Sequence, residues 1–275
     1  MTEFTISSDG TRIGFDREGS GPPVILVDGA FQFRAFDPAT TELQHQLAGH
    51  GFEVVRYDRR GRGDSPAAGP ITLAQSLEDL RALIGVLTEG TDDAVTLFGN
   101  SSGGAIALAA AAAGLPVSKV VVFEVPLDPE QGGEGAAFLA DLRDRIAAGD
   151  GAATVEFFMR DMPREWLEQS RSSDAWPVMT AIAPSLEPDA EALAWAQSAP
   201  RTELLAGVDQ PVLVLVGAQT LEVMGPAADS LVSSLAHAER RELEASDHLW
   251  DPRTLALVIA GFLVEGPGSA ERSGA

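Results

Sequence analysis

Apolar positions in this chain follow two rhythms. Mostly apolar runs begin with Val24-Ile25-Leu26-Val27 and recur at 52–57, 94–98, 119–123 and 212–216. A strand covered on both faces has no polar side to show, so such runs read as inner strands of a parallel sheet. A more polar run at 240–243 reads as a sheet edge. Between the runs the spacing turns helical: over Leu73–Leu87 with Thr72 as N-cap, over the alanine-dominated 105–113, and over 254–264 as the last helix. Ahead of all these, 4–7 and 12–16 flank Ser8-Asp9-Gly10-Thr11, a hairpin with an Asp-Gly turn. Strand–helix alternation after a leading hairpin predicts an α/β fold with a mostly parallel, doubly wound sheet.

The alternation is interrupted between about 127 and 205. That stretch is acidic, helical in pattern and rich in Phe, Met and Trp, and the strand pattern resumes at Pro211. It predicts a helical cap inserted over the sheet, with the core formed by 1–126 and 206–265 and a disordered tail at 266–275.

A formal net charge of −22 at pH 7 disfavours nucleic acid and anionic membrane surfaces, which would repel the chain. No cysteine is present, which removes disulfides, thiolate metal sites and a cysteine nucleophile from consideration. Met1-Thr2-Glu3-Phe4 lacks the basic-then-apolar character of an export signal. The apolar run 105–113 is too short for a bilayer, which needs about 20 residues. These features lead to the expectation of a cytoplasmic protein, and with no ligand cluster or dinucleotide-binding loop in the sequence no metal or organic cofactor is expected; the oligomeric state is open.

Gly99-Asn100-Ser101-Ser102-Gly103-Gly104 carries the sharpest chemical signal. It matches G-x-S-x-G, follows a predicted strand and opens a predicted helix. A sharp strand-to-helix turn lifts one serine above the sheet, and the helix start supplies N–H groups for a developing oxyanion. Ser102 stands one place late for that spacing.

With this motif the chain resembles the α/β-hydrolase superfamily over nearly its whole length. Val27-Asp28-Gly29-Ala30-Phe31 resembles the family's oxyanion loop, usually written His-Gly-X, with Asp28 in place of histidine. The segment from Tyr57 to Ser65 (Tyr-Asp-Arg-Arg-Gly-Arg-Gly-Asp-Ser) resembles the D-x-R-G-x-G-x-S turn, structural rather than catalytic in the family. Ser246-Asp247-His248 resembles the loop that delivers the catalytic histidine. Active-site loops of this fold gather at the carboxyl ends of the strands. His45, His50 and His237 fall at the opposite edge, and His248 alone follows a strand and precedes a helix.

The resemblance implies Ser101 as nucleophile and His248 as base. The family's usual acid follows the penultimate strand, where this chain reads Gly217-Ala218-Gln219-Thr220. Some relatives carry the acid after the strand that follows the nucleophile helix, where Glu124 stands here. Glu124 and Glu222 both remain candidates. The resemblance also points to the N–H groups of Ala30 and Ser102 as the oxyanion hole. Asp28, Phe31, Trp166 and Trp176 are candidates for the substrate pocket. The implied activity is cleavage of a carboxylic ester, lactone or thioester of a bulky apolar or aromatic molecule through an acyl-enzyme. The alternatives are a lyase or cyclase that uses the same base without an acyl-enzyme, or a binding protein without turnover.

Overall fold

The computed structural model describes residues 1–67, 69, 71–90, 94–128 and 134–264. The tail expected at 266–275 lies outside the described residues. Eight strands form one sheet: β1 (Glu3–Ile6), β2 (Arg12–Gly19), β3 (Pro23–Val27), β4 (Glu53–Tyr57), β5 (Val95–Asn100), β6 (Val117–Phe123), β7 (Val212–Gln219) and β8 (Ala238–Ser246). Their order is β1-β2-β4-β3-β5-β6-β7-β8. β1, β2 and β4 pair antiparallel in turn, and every pairing from β4 through β8 is parallel. The polar strand is at the sheet edge, as its composition predicts, and is longer than its sequence pattern.

Both faces of the sheet are covered, which explains the mostly apolar runs. On β3, Ile25 and Val27 enter one core cluster while Val24 and Leu26 enter the other. β6 divides the same way, with Val120 and Val122 against Val121 and Phe123. The first face is covered by α2 (Leu73–Leu87), α3 (Ser102–Ala112) and α10 (Met224–Ser234). The second is covered by α1 (Pro38–Gly49) and α11 (Pro252–Val264). Thr72 caps α2 in a capping box with Gln75, satisfying two otherwise orphaned N–H groups. Among the described residues, no helix is long and apolar enough to cross a membrane.

Between β6 and β7 the chain is helical: α4 (Gly135–Ala148), α5 (Gly151–Phe158), α6 (Arg164–Arg171), α7 (Trp176–Ala181), α8 (Glu187–Trp195) and α9 (Arg201–Leu204), with a 3-10 turn at Ala183–Leu186. Two small apolar clusters hold this insertion together, one around Leu142, Phe158 and Leu186, the other around Val155, Met159 and Met179. Phe31 from the loop after β3 packs against both, so the insertion is seated on the carboxyl end of the sheet. Residues that follow β3, β5, β6 and β8 therefore emerge beneath it.

Candidate active site

β5 ends at Asn100 and α3 begins at Ser102, which leaves Ser101 alone at φ 54, ψ −129. An L-residue adopts that backbone only when its surroundings over-determine it. Here the Ser101 N–H donates to the Phe123 carbonyl at 2.9 Å, and the Ser101 carbonyl accepts from the Gly104 N–H at 2.9 Å. The motif glycines are steric requirements. A Cβ on Gly99 would lie 2.5 Å from Gly104 Cα, and one on Gly103 would lie 2.2 Å from the Val27 oxygen.

His248 reaches the same end of the sheet on a tight turn after β8. The Leu249 N–H donates to the Ser246 carbonyl, and Asp247 and His248 have φ 54 and 63. Two positive-φ central residues are the type I′ hairpin signature. Glu124 follows β6 at φ 47, and its Oε2 lies 2.5 Å from His248 Nδ1. Its Oε1 accepts from the Gly217 N–H at 2.8 Å. Burial raises the Glu124 carboxyl, but His248, the Thr220 hydroxyl and the Gly217 N–H outweigh it, and the group stays below the usual carboxylate range. Among the described residues, the non-glycine positive-φ positions are Phe31, Ser101, Glu124, Asp247 and His248. Backbone strain is thus gathered at this one place.

A cavity of about 890 Å³ opens above these groups. Ser101, His248, Ala30 and Phe31 line it from the sheet side. Phe138, Phe158, Met159, Met162 and Trp166 line it from the insertion. Trp166 stacks on the His248 ring, with centroids 6.5 Å apart and planes at 24°. Among the described residues, no hydrogen bond joins the Ser101 hydroxyl to the imidazole, and neither the Ala30 nor the Ser102 N–H has an acceptor. Gly29 lies against the nucleophile turn, since a Cβ there would be 3.2 Å from Ser101 Cβ.

Three sequence candidates stand elsewhere. Glu222 is exposed and makes no bond to His248, whose Nδ1 is taken by Glu124. Asp28 does not line the cavity. It is buried and accepts from Arg56 Nη2 at 3.1 Å, with burial raising its carboxyl above the ordinary value against the pull of Arg56. Trp176 does not line the cavity either. It opens α7 and packs against the cluster of Val155, Met159 and Met179, completing the insertion's own core.

Sequence reasoning missed the polar layer below the cavity. Gln32 Oε1 accepts from the Gly29 N–H at 2.8 Å and from Asn100 Nδ2 at 2.9 Å, while its Nε2 donates to Asp37 at 2.7 Å. It ties the loop after β3 to the residue before Ser101. Asp189 on α8 is fully buried and accepts from Arg59, Arg62 and the Ser102 hydroxyl. The arginines were visible within the turn from Tyr57 to Ser65, but nothing local marks Asp189 as their partner.

The profile of the alpha/beta hydrolase family matches residues 24–258, and the chain belongs to that family. An alpha/beta hydrolase from Sphaerobacter thermophilus superposes with a TM-score of 0.81 at 33% identity, over 95% of this chain and 100% of the other. The enol-lactonase from Burkholderia xenovorans shares the fold at TM-score 0.65 and 22% identity, over 96% of this chain and 100% of the other. A curated relative, the probable oxidoreductase EphD of Mycobacterium tuberculosis, is 36% identical over 95 residues. The match covers 33% of this chain and spans 15% of that relative's length.

Proposed function

We propose that this chain is a serine hydrolase that cleaves an ester, lactone or thioester of a bulky apolar or aromatic small molecule. The observation that carries the reading is His248, paired with the buried Glu124 at 2.5 Å and lining the same cavity as a serine held on a strained turn. In this reading Glu124 accepts a hydrogen bond from Nδ1–H, which stays on the ring and leaves Nε2 free to take the proton of Ser101 Oγ. Ser101 attacks the substrate carbonyl, and the Ala30 and Ser102 N–H groups receive the oxyanion. His248 returns the proton to the leaving group, and water releases the acyl group by the same steps. The apolar, methionine- and aromatic-rich cavity wall supports a bulky apolar acyl or alcohol part.

A fluorophosphonate probe with peptide mapping tests the reading. The expected result is a single adduct on Ser101, lost in His248→Ala. A folded wild type that refuses the probe overturns it and favours a binding protein.

One observation favours a second reading, in which His248 acts directly on a substrate proton without an acyl-enzyme. The Ser101 hydroxyl and the imidazole are not hydrogen-bonded to one another. Retained turnover of a native substrate in Ser101→Ala would select that alternative.

A further inference from the structure

The turn that carries Arg59 and Arg62 has no part in the steps above, yet it is built directly under them. Both guanidinium groups are buried, and both point at the loop after β3. Arg62 Nη1 donates to the Gly29 carbonyl at 2.6 Å and to the Gln32 carbonyl at 3.0 Å. Arg59 Nη1 donates to the Asp28 carbonyl at 3.1 Å and to the Gly29 carbonyl at 3.4 Å. The Gly29 carbonyl and the Ala30 N–H belong to one peptide group. No cis peptide occurs among the described residues, so this N–H points opposite to the carbonyl. With the carbonyl turned down onto the arginines, the N–H is turned up, at a residue that lines the cavity.

Two charge-assisted bonds to a carbonyl draw electron density toward its oxygen and make the N–H of the same amide a stronger donor. The same carboxylate that holds both arginines holds the other half of the site. Asp189 accepts from Arg59 and from the Ser102 hydroxyl, both at 2.6 Å, and from Arg62 at 2.8 Å. Ser102 carries the second candidate oxyanion N–H. Two buried cations here share one fully buried carboxylate, so the pair is held as a unit below the loop after β3. Burial and the neighbouring Arg59 pull Arg62 down to about 10, so it remains protonated at neutral pH.

We propose that Arg59 and Arg62, bridged by Asp189, are positioning residues that orient and polarise the Gly29–Ala30 peptide for oxyanion binding. The inference rests on the serine-hydrolase reading, and it gives chemical work to a turn the sequence marks as structural. It also makes the insertion part of the catalytic apparatus, because Asp189 comes from α8.

The test uses Arg62→Lys and Arg59→Lys, which keep a cation and lose the forked donor. Each is measured for kcat and KM on a p-nitrophenyl ester. Inhibition by a trifluoromethyl ketone, which forms a tetrahedral oxyanion on the serine, is compared with binding of the matching alcohol. The expected result for Arg62→Lys is a fall of about tenfold in kcat, less than the 10²–10³ for losing a donor outright. Affinity for the ketone should fall in parallel, with KM and alcohol binding changed less than about twofold. Unchanged kcat and ketone affinity, or an equal loss for ketone and alcohol, overturns the proposal. A second measurement needs no variant. In the wild type the Gly29 carbonyl carbon should resonate downfield of ordinary loop glycines, and a value among those glycines overturns the proposal. A wild type that reacts with neither fluorophosphonate nor ketone refutes the hydrolase reading itself, a separate outcome.

Discussion

Replacing Glu124 by glutamine tests the site through hydrogen-bond logic alone. The carboxylate makes two contacts that both call for an acceptor. Oε1 must accept from the Gly217 N–H at 2.8 Å, and Oε2 faces His248 Nδ1 at 2.5 Å. A glutamine has one acceptor and one donor end. The Gly217 N–H, buried in the sheet, selects the oxygen, because leaving it unpaired costs about 1–3 kcal/mol. The amide NH₂ then faces Nδ1 and forces that nitrogen to accept. The imidazole proton moves to Nε2, the atom that must receive the serine proton, and the base is disabled while its shape is preserved. Loss of the correct tautomer costs about 10⁴ in kcat in other triads, or about 5.5 kcal/mol of barrier. The assay is kcat on a p-nitrophenyl ester, with thermal unfolding to show that the variant is folded. A folded Glu124→Gln within about threefold of wild type would refute the reasoning, and a dead Glu222→Gln beside it would move the acid to the other loop.

Other outcomes follow from the same geometry. Gly103→Ala places a Cβ 2.2 Å from the Val27 oxygen and 2.7 Å from the Asp28 oxygen, so the elbow must shift. It should lose more than about 2 kcal/mol in urea unfolding, and a loss below 0.5 kcal/mol would contradict the close approach. Trp166→Ala removes the ring stacked on His248 and part of the cavity wall. KM for long-chain or aromatic esters should rise about 5–20-fold while acetate esters change little, and equal effects on both would refute a role in selecting bulky substrates. The Glu124 and Asp189 carboxyls are depressed in the folded chain, so the stability they contribute is complete above the ordinary values of 4.5 and 3.8. It is lost as pH falls through and below those values. Urea midpoints measured from pH 7 to pH 3 should drop on the acid side less steeply in Glu124→Gln, and an unchanged slope would contradict the shift.

The strand runs and the elbow were legible because each is a local pattern. An inner strand is packed on both faces and so is mostly apolar, and the turn at Ser101 admits nothing larger than glycine at Gly99 and Gly103. Glu124 is a candidate because it stands directly after the strand that follows the nucleophile helix, where some relatives carry the acid. What the sequence hid depends on distant pairing. Asp28, a pocket candidate by its place in the loop, instead holds the loop through hydrogen bonds. Leu26 pairs with Arg56 across the β3–β4 ladder, and residues two apart share a face, so Asp28 is turned toward Arg56 and away from substrate. Trp176 is a pocket candidate by its place in the insertion, but an inserted helical layer must first build a core of its own. Asp189 lies 130 residues from Arg59 and 87 from Ser102, and only the seating of α8 on α3 joins them.

Rapid-quench mass spectrometry during turnover of a p-nitrophenyl ester tests the central claim most directly. The account predicts that the peptide containing Ser101 gains the mass of the acyl group and loses it as product appears. Steady turnover with that peptide unmodified at every quench time, and undiminished in Ser101→Ala, would contradict it.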